Sequence, residues 1–284
     1  MQDWTDLVAP MSRWLASGHA MHLRLTGLGY GTGHCEYLTD ALATSPTLSH
    51  LYLDAPLILL ASLVGSGRQL RHITQFECAG LGAGQDFQAI FVLLPLDKLT
   101  KLRLYGAPVD NTNLSWLLPR LHLMTALEDL HLSDVRMVEA LAMPLTPSLA
   151  PRLRSVRLPK VSCSVESRRA LLGWALHSNR LECLTWPQCA TDDGHCFDGD
   201  GLCHAIEAGV RTIDLKGSFS RRDAMALANV LRGAKAPHSA TLCLHHSPLR
   251  RAGELHLQKA LATCTNVVIT TRDSDNAIRT LLAA

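Results

Sequence analysis

Apolar residues recur along this chain in a fixed local pattern. Segments of the form Leu-x-x-Leu-x-Leu occur at Leu48/Leu51/Leu53, Leu99/Leu102/Leu104, Leu127/Leu130/Leu132, Leu153/Val156/Leu158, Leu181/Leu184/Trp186 and Val210/Ile213/Leu215. Weaker copies sit at Leu23/Leu25, Ile73, Leu242/Leu244 and Val267/Ile269. Taking the middle apolar residue as a marker gives positions 23, 51, 73, 102, 130, 156, 184, 213, 242 and 267. The intervals are 28, 22, 29, 28, 26, 28, 29, 29 and 25, a spacing too narrow for unrelated apolar runs. Alternation within each segment predicts a short strand with one apolar side.

A second pattern fills the intervals. Leu38/Ala41/Leu42, Leu172/Ala175/Leu176 and Leu257/Ala260/Leu261 share the spacing i, i+3, i+4 of one helix face. Each set begins about 15 residues after its strand marker, so strand and helix keep a constant phase. Ala224/Leu227/Ala228/Leu231 continues the theme, with Ser220 and Asp223 placed as a capping box and Gly233 placed to end the helix. Ala55 to Val64 suits a buried helix.

One strand and one helix cannot hide these apolar surfaces alone, but stacked copies can. The predicted class is therefore α/β, an open solenoid in preference to a doubly wound sheet, which needs no constant period. Strand–helix repeats of 28 to 29 residues resemble the ribonuclease-inhibitor-like class of leucine-rich repeats over residues 20–271. The resemblance implies a leucine-rich-repeat solenoid, or horseshoe, of about ten repeats, with a parallel concave sheet and helices on the convex side. In that class an Asn or Cys usually follows the last strand leucine by three positions. The matching positions here are Leu28, Pro56, Ala107, Val135, Val161, Cys189, Ser218 and Ser247, so only Cys189 conforms.

A solenoid needs closed ends. Trp4, Leu7, Val8, Met11, Trp14 and Leu15 follow helical spacing, which predicts an N-terminal capping helix within residues 1–19. Ala277, Ile278, Leu281 and Leu282 predict a C-terminal capping helix within 272–284, unless they await a partner.

Composition narrows the functional classes. Hydrophobic residues make up 47% of 284, enough for a substantial core. A formal charge of +2 and 5% aromatics fit neither the basic stripe nor the stacking platform of a nucleic-acid binder. No run approaches the roughly 20 apolar residues of a membrane span. Nine cysteines, an odd number, with an acidic start that does not resemble a signal peptide, read as reduced thiols of a cytoplasmic or nuclear protein.

Strand residues flanking the core leucines are expected on the open face. They include His22, Arg24 and Thr26; His50, Tyr52 and Asp54; and His72, Thr74 and Phe76. Lys101, Arg103, Tyr105, Asp129, His131, Ser133, Ser155, Arg157 and Pro159 continue the series. The central row runs Arg24, Tyr52, Thr74, Arg103, His131, Arg157, Thr185, Asp214, Cys243, Val268, and its first six members are rich in Arg, His and Tyr. Arg and Tyr are enriched at binding hot spots. The candidate partner-binding residues are thus Arg24, His50, Tyr52, Lys101, Arg103, Tyr105, His131 and Arg157. An ordinary solvated sheet is the competing reading, and an acidic or phosphorylated protein partner is the further step. Gln75 stands where an apolar residue is expected, so the third repeat is either bulged, with Phe76 turned inward, or irregular.

Other chemistry finds weaker support. Cys189, His195, Cys196, Cys203 and His204 are zinc ligands by type, yet they lack closely paired cysteine hooks. Asp198, Asp200 and Gly201 fall short of a calcium loop, and a polar turn leading into a helix over Leu202 to Ala208 fits better. Gly27 to Gly33 is glycine-rich but lacks the dinucleotide spacing, and every repeat turns there. There is no nucleophile elbow, Walker loop or His-Glu-x-x-His. No cofactor or metal is expected. The leading expectation is a non-enzymatic intracellular protein-binding scaffold using the concave face. The alternative is a regulator of a small GTPase, as in the Ran GTPase-activating proteins, which share this repeat class. The C-terminus, Ser274 to Ala284, lacks the acidic tail often found in that group.

Overall fold

The computed structural model describes residues 5–26, 35–54, 57–80, 85–105, 111–133, 150–159, 164–186, 199–215, 221–245, 251–272 and 278–281. It contains two compact units, residues 1–134 with 150–152, and residues 135–149 with 153–284. Both alternate strands with helices.

In the first unit the strands are β1 (His22–Leu25), β2 (His50–Asp54), β3 (Gln75–Ala79), β4 (Lys101–Tyr105) and β5 (Asp129–Leu132). They pair in sequence order, all parallel. The helices are α1 (Thr5–Ala16), α2 (Cys35–Thr44), α3 (Leu57–Gly65), α4 (Gln85–Leu93) and α5 (Asn111–Leu117). The last continues into a 3-10 turn, Leu118–Leu123. This unit is a parallel ladder with helices between the strands, as the period requires.

The register is fixed by the core. Leu51, Phe76, Leu102 and Leu130 stand opposite one another, as do Leu53, Cys78, Leu104 and Leu132. All eight are at most 1% exposed. Burying a leucine is worth about 1.5–3 kcal/mol, so a one-residue slip, which would expose a whole row, is strongly disfavoured.

This register corrects the third repeat. Ile73 is the first apolar residue of its motif, aligned in sequence with Leu48 and Leu99; Phe76 and Cys78 are the second and third. With Phe76 as the marker, positions 51, 76 and 102 give intervals of 25 and 26 in place of 22 and 29. Phe76 turns inward without a bulge. Burial in an apolar row, aided by Asp54, pushes the Cys78 thiol up to about 12.

One backbone device repeats at each strand entry. Ser49 and His50 both donate their N–H to the Met21 carbonyl, Thr74 and Gln75 to that of Ser49, Thr100 and Lys101 to that of Thr74, and Glu128 and Asp129 to that of Thr100. Thr74 therefore belongs to this edge column and not to the central row. Its hydroxyl donates to the Ser49 carbonyl, and that of Thr100 to the Thr74 carbonyl.

The second unit holds β6 (Ser155–Arg157), β7 (Cys183–Trp186), β8 (Thr212–Leu215), β9 (Lys235–His245), β10 (Thr265–Arg272) and β11 (Ile278–Leu281). The first five pair parallel in order. Its helices are α6 (Val165–Leu176), α7 (Gly199–Glu207), α8 (Arg221–Leu231) and α9 (Arg251–Leu261). The predicted apolar stripes are buried at Leu172/Ala175, Ala224/Leu227/Ala228/Leu231 and Leu257/Ala260/Leu261. Gly233 follows α8 at φ 76°, the left-handed conformation expected of a helix-ending glycine. The helix at 202–208 begins earlier than its apolar residues suggest, at Gly199, where a Cβ would collide with Val230.

The C-terminal segment departs from expectation. Ile278–Leu281 is not a capping helix but a strand antiparallel to β10, and the last parallel strand runs on to Arg272. A free sheet edge offers unpaired N–H and C=O groups, and those hydrogen bonds win over helical spacing. Val268 also leaves the central row: Cys243 stands opposite Thr270, after a register shift between Thr265 and Val267. At the other end α1 forms as predicted, with Val8 and Leu15 buried and Trp14 exposed. Trp4, Ser220 and the eight turn positions from Leu28 to Ser247 lie outside the described residues. Among the described residues, no helix is long and apolar enough to cross a membrane.

Candidate functional site

The first unit presents one sheet face away from its leucine rows. Its central row is Arg24, Tyr52, Glu77, Arg103 and His131, one residue per strand. The row on one side is His22, His50, Gln75, Lys101 and Asp129; on the other side Asp54, Ala79 and Tyr105 are aligned. Seven of the eight candidate residues, Arg24, His50, Tyr52, Lys101, Arg103, Tyr105 and His131, thus share this face. Arg157 lies on β6 in the second unit, exposed, with Nε donating to Ser155 Oγ at 3.2 Å.

Glu77 is the residue that sequence reasoning missed. It sits two positions past the misassigned Gln75, and it reorganises the site. Arg103 Nη1 lies 3.5 Å from Glu77 Oε1, while Arg103 Nη2 and Nε donate to Asp129 Oδ2 at 2.7 and 3.2 Å. Partial burial opposes the guanidinium charge. Hydrogen bonding and attraction from Asp129, with help from Glu77, outweigh it and raise the Arg103 pKa. Burial, then the Glu77 charge, raise the Tyr105 pKa. Its ring meets His131 edge-on at 4.8 Å between centroids.

At the other end of the row, the Arg24 guanidinium lies over the Tyr52 ring, 4.4 Å from its centroid. His22 and His50 approach with Nδ1 atoms 3.2 Å apart, so one of the two must carry the proton there. His50 Nε2 is 3.5 Å from Glu77 Oε1, too long for a well-formed hydrogen bond. Burial lowers the His50 pKa; Glu77 opposes this, and His22, Lys101 and Arg103 add to it.

The charges on this face are matched. Arg24, Lys101 and Arg103 are balanced by Asp54, Glu77 and Asp129, three charges against three. Arg103 is already occupied. Replacing it by Glu would set a third carboxylate between two others, Glu77 and Asp129.

The second unit's face is plainer. Its central row is Arg157, Thr185, Asp214, Cys243 and Thr270. Thr185 is buried, and the Thr270 hydroxyl donates to Cys243 Sγ at 3.4 Å. Of the cysteine- and histidine-rich segment, Cys189, His195 and Cys196 lie outside the described residues. Cys203 Sγ donates to the Val230 carbonyl at 3.1 Å. Gly27 to Gly33 also lies outside. Among the described residues, no three His, Cys, Asp or Glu side chains gather as a metal site.

Sequence comparison assigns no family: no protein-family model matches the chain, and no curated protein matches it either.

Proposed function

We propose that the chain is a non-enzymatic, protein-binding leucine-rich-repeat module of the ribonuclease-inhibitor-like class, which engages its partner through the outward sheet face of the first unit. The observation that carries this reading is the cross-strand ladder itself. Arg24 on Tyr52, Arg103 between Glu77 and Asp129, and Tyr105 against His131 place hot-spot residue types in fixed geometry. Side chains ordered before binding lose less entropy on contact, which favours affinity. With its charges balanced, the face suits a partner of mixed polarity better than an acidic one. The free thiols of the six described cysteines support an intracellular setting, cytoplasmic or nuclear.

Photo-crosslinking tests the reading. A photoreactive residue at Tyr52 should capture a protein partner, while one at Val92, exposed on α4, should not. Equal capture from both positions would overturn it. Stimulated GTP hydrolysis by small GTPases would favour the regulator alternative.

A further inference from the structure

The second unit has a pocket of about 360 Å³ where its strands begin. Arg154, Glu182 and Arg211 immediately precede β6, β7 and β8, and the register of Ser155, Cys183 and Thr212 aligns the three in one column. The column is held by shared carbonyls. Glu182 and Cys183 donate to the Arg154 carbonyl, and Arg211 and Thr212 to that of Glu182. Asn179 and Arg180, from the turn before β7, and His238, from the start of β9, complete the polar lining. Gly209 forms part of the wall at φ 89°, and a Cβ there would meet the Pro237 ring at 3.3 Å.

These cations differ from those of the first unit. Arg154, Arg180, Arg211 and His238 are exposed, and among the described residues their side chains make no hydrogen bond or ion pair. Three guanidiniums face one carboxylate, Glu182, leaving two positive charges, or three with His238 protonated. Neighbouring strands lie about 4.8 Å apart, so Arg154 and Arg211, two strands apart, can reach one ligand between them.

We infer that this pocket is a phosphomonoester site, and that it takes a phosphorylated serine or threonine of the protein partner. A phosphomonoester carries about −1.5 to −2 charges near neutral pH and three acceptor oxygens, matching the surplus charge and the forked donors. The volume falls within the range of ordinary ligand sites, but the lining is mainly polar, with Ala208 and Pro237 the accessible apolar walls. Small-molecule sites are mostly apolar. A phosphate borne on a chain that is held elsewhere as well needs no such walls. The protein-borne source rests on the proposed protein-binding function; the phosphate chemistry does not.

The test uses the full chain and a labelled Gly-Gly-phosphoserine-Gly-Gly peptide, its unphosphorylated twin and glucose 6-phosphate, with fluorescence anisotropy and competition as readouts. The phosphopeptide should bind at least about tenfold tighter than its twin, the scale of one or two charge-assisted hydrogen bonds. The Arg154→Ala/Arg180→Ala/Arg211→Ala variant should abolish that preference with an unchanged melting temperature. Val92→Ala, an exposed change on α4 of the first unit, should leave it intact. Equal binding of the twins, or a preference that survives the triple substitution, would overturn the site. Glucose 6-phosphate binding tenfold tighter than the phosphopeptide would overturn the protein-borne source. Crosslinking from Tyr52 combined with no phosphate preference would sink the pocket alone. Phosphate preference without that crosslink would sink the sheet-face reading alone.

Discussion

The two units repeat one strand–helix plan but place their arginines differently. On the first unit's face, Arg103 is tied to Glu77 and Asp129, and Arg24 is stacked on Tyr52. In the second unit the corresponding row offers only short side chains beyond Arg157, while Arg154, Arg180 and Arg211 gather at the strand-start edge with no partner among the described residues. Leucine rows and helix stripes hold the same plan in both, so neither arrangement is dictated by the fold. Arginines engaged with neighbours stiffen a surface; arginines left open await an anion.

The comparison can be broken first in the core. Phe76→Ala should cost about 3–5 kcal/mol in chemical denaturation, the usual penalty for emptying a buried aromatic site. Thr74→Ala should cost far less. The reverse order would return Thr74 and Phe76 to the roles expected from sequence. The arginine contrast comes next. Arg103→Glu should destabilise by about 1–3 kcal/mol, discounted for its partial exposure. Arg157→Glu on the second unit should stay within about 0.5 kcal/mol. Equal effects would erase the distinction between the faces.

Acid sharpens the comparison further. The folded His50 pKa lies below the ordinary 6.5. Its contribution is therefore full above that value and is lost as pH falls through the lowered folded pKa. Melting temperature should drop between pH 7 and pH 5 in the native protein and drop less in His50→Gln; identical slopes would remove His50 from the acid response. The smallest effect concerns reactivity. Cys78, with a thiol pKa near 12, should resist a disulfide reagent at pH 8 until the protein is unfolded. Labelling of Cys78 in the folded protein would contradict its burial.

What the sequence disclosed follows from what repeats. Strand markers and helix stripes were legible because every copy must bury the same rows. The third repeat misled because Cys78 replaces a leucine and Ile73 resembles the marker. That error hid Glu77, and with it the pairing of Arg103. The phosphate pocket was illegible for a different reason. Arg180, Gly209 and His238 belong to separate intervals and meet only when the strands stack. The terminal strand escaped because apolar spacing at Ile278 and Leu281 fits a helix, and the open edge of β10 has no local signature.

The doubly used carbonyls at the strand entries carry an evolutionary consequence. Each copy needs from its predecessor one acceptor at one position, as Thr74 needs Ser49 and Thr100 needs Thr74. Loss or duplication of an entire copy hands that acceptor on unchanged. A single residue inserted just before β3 would shift the donors off it and turn Phe76 outward at once. The lineage of such a chain can therefore lengthen or shorten in whole paragraphs, while a single added letter is ruinous.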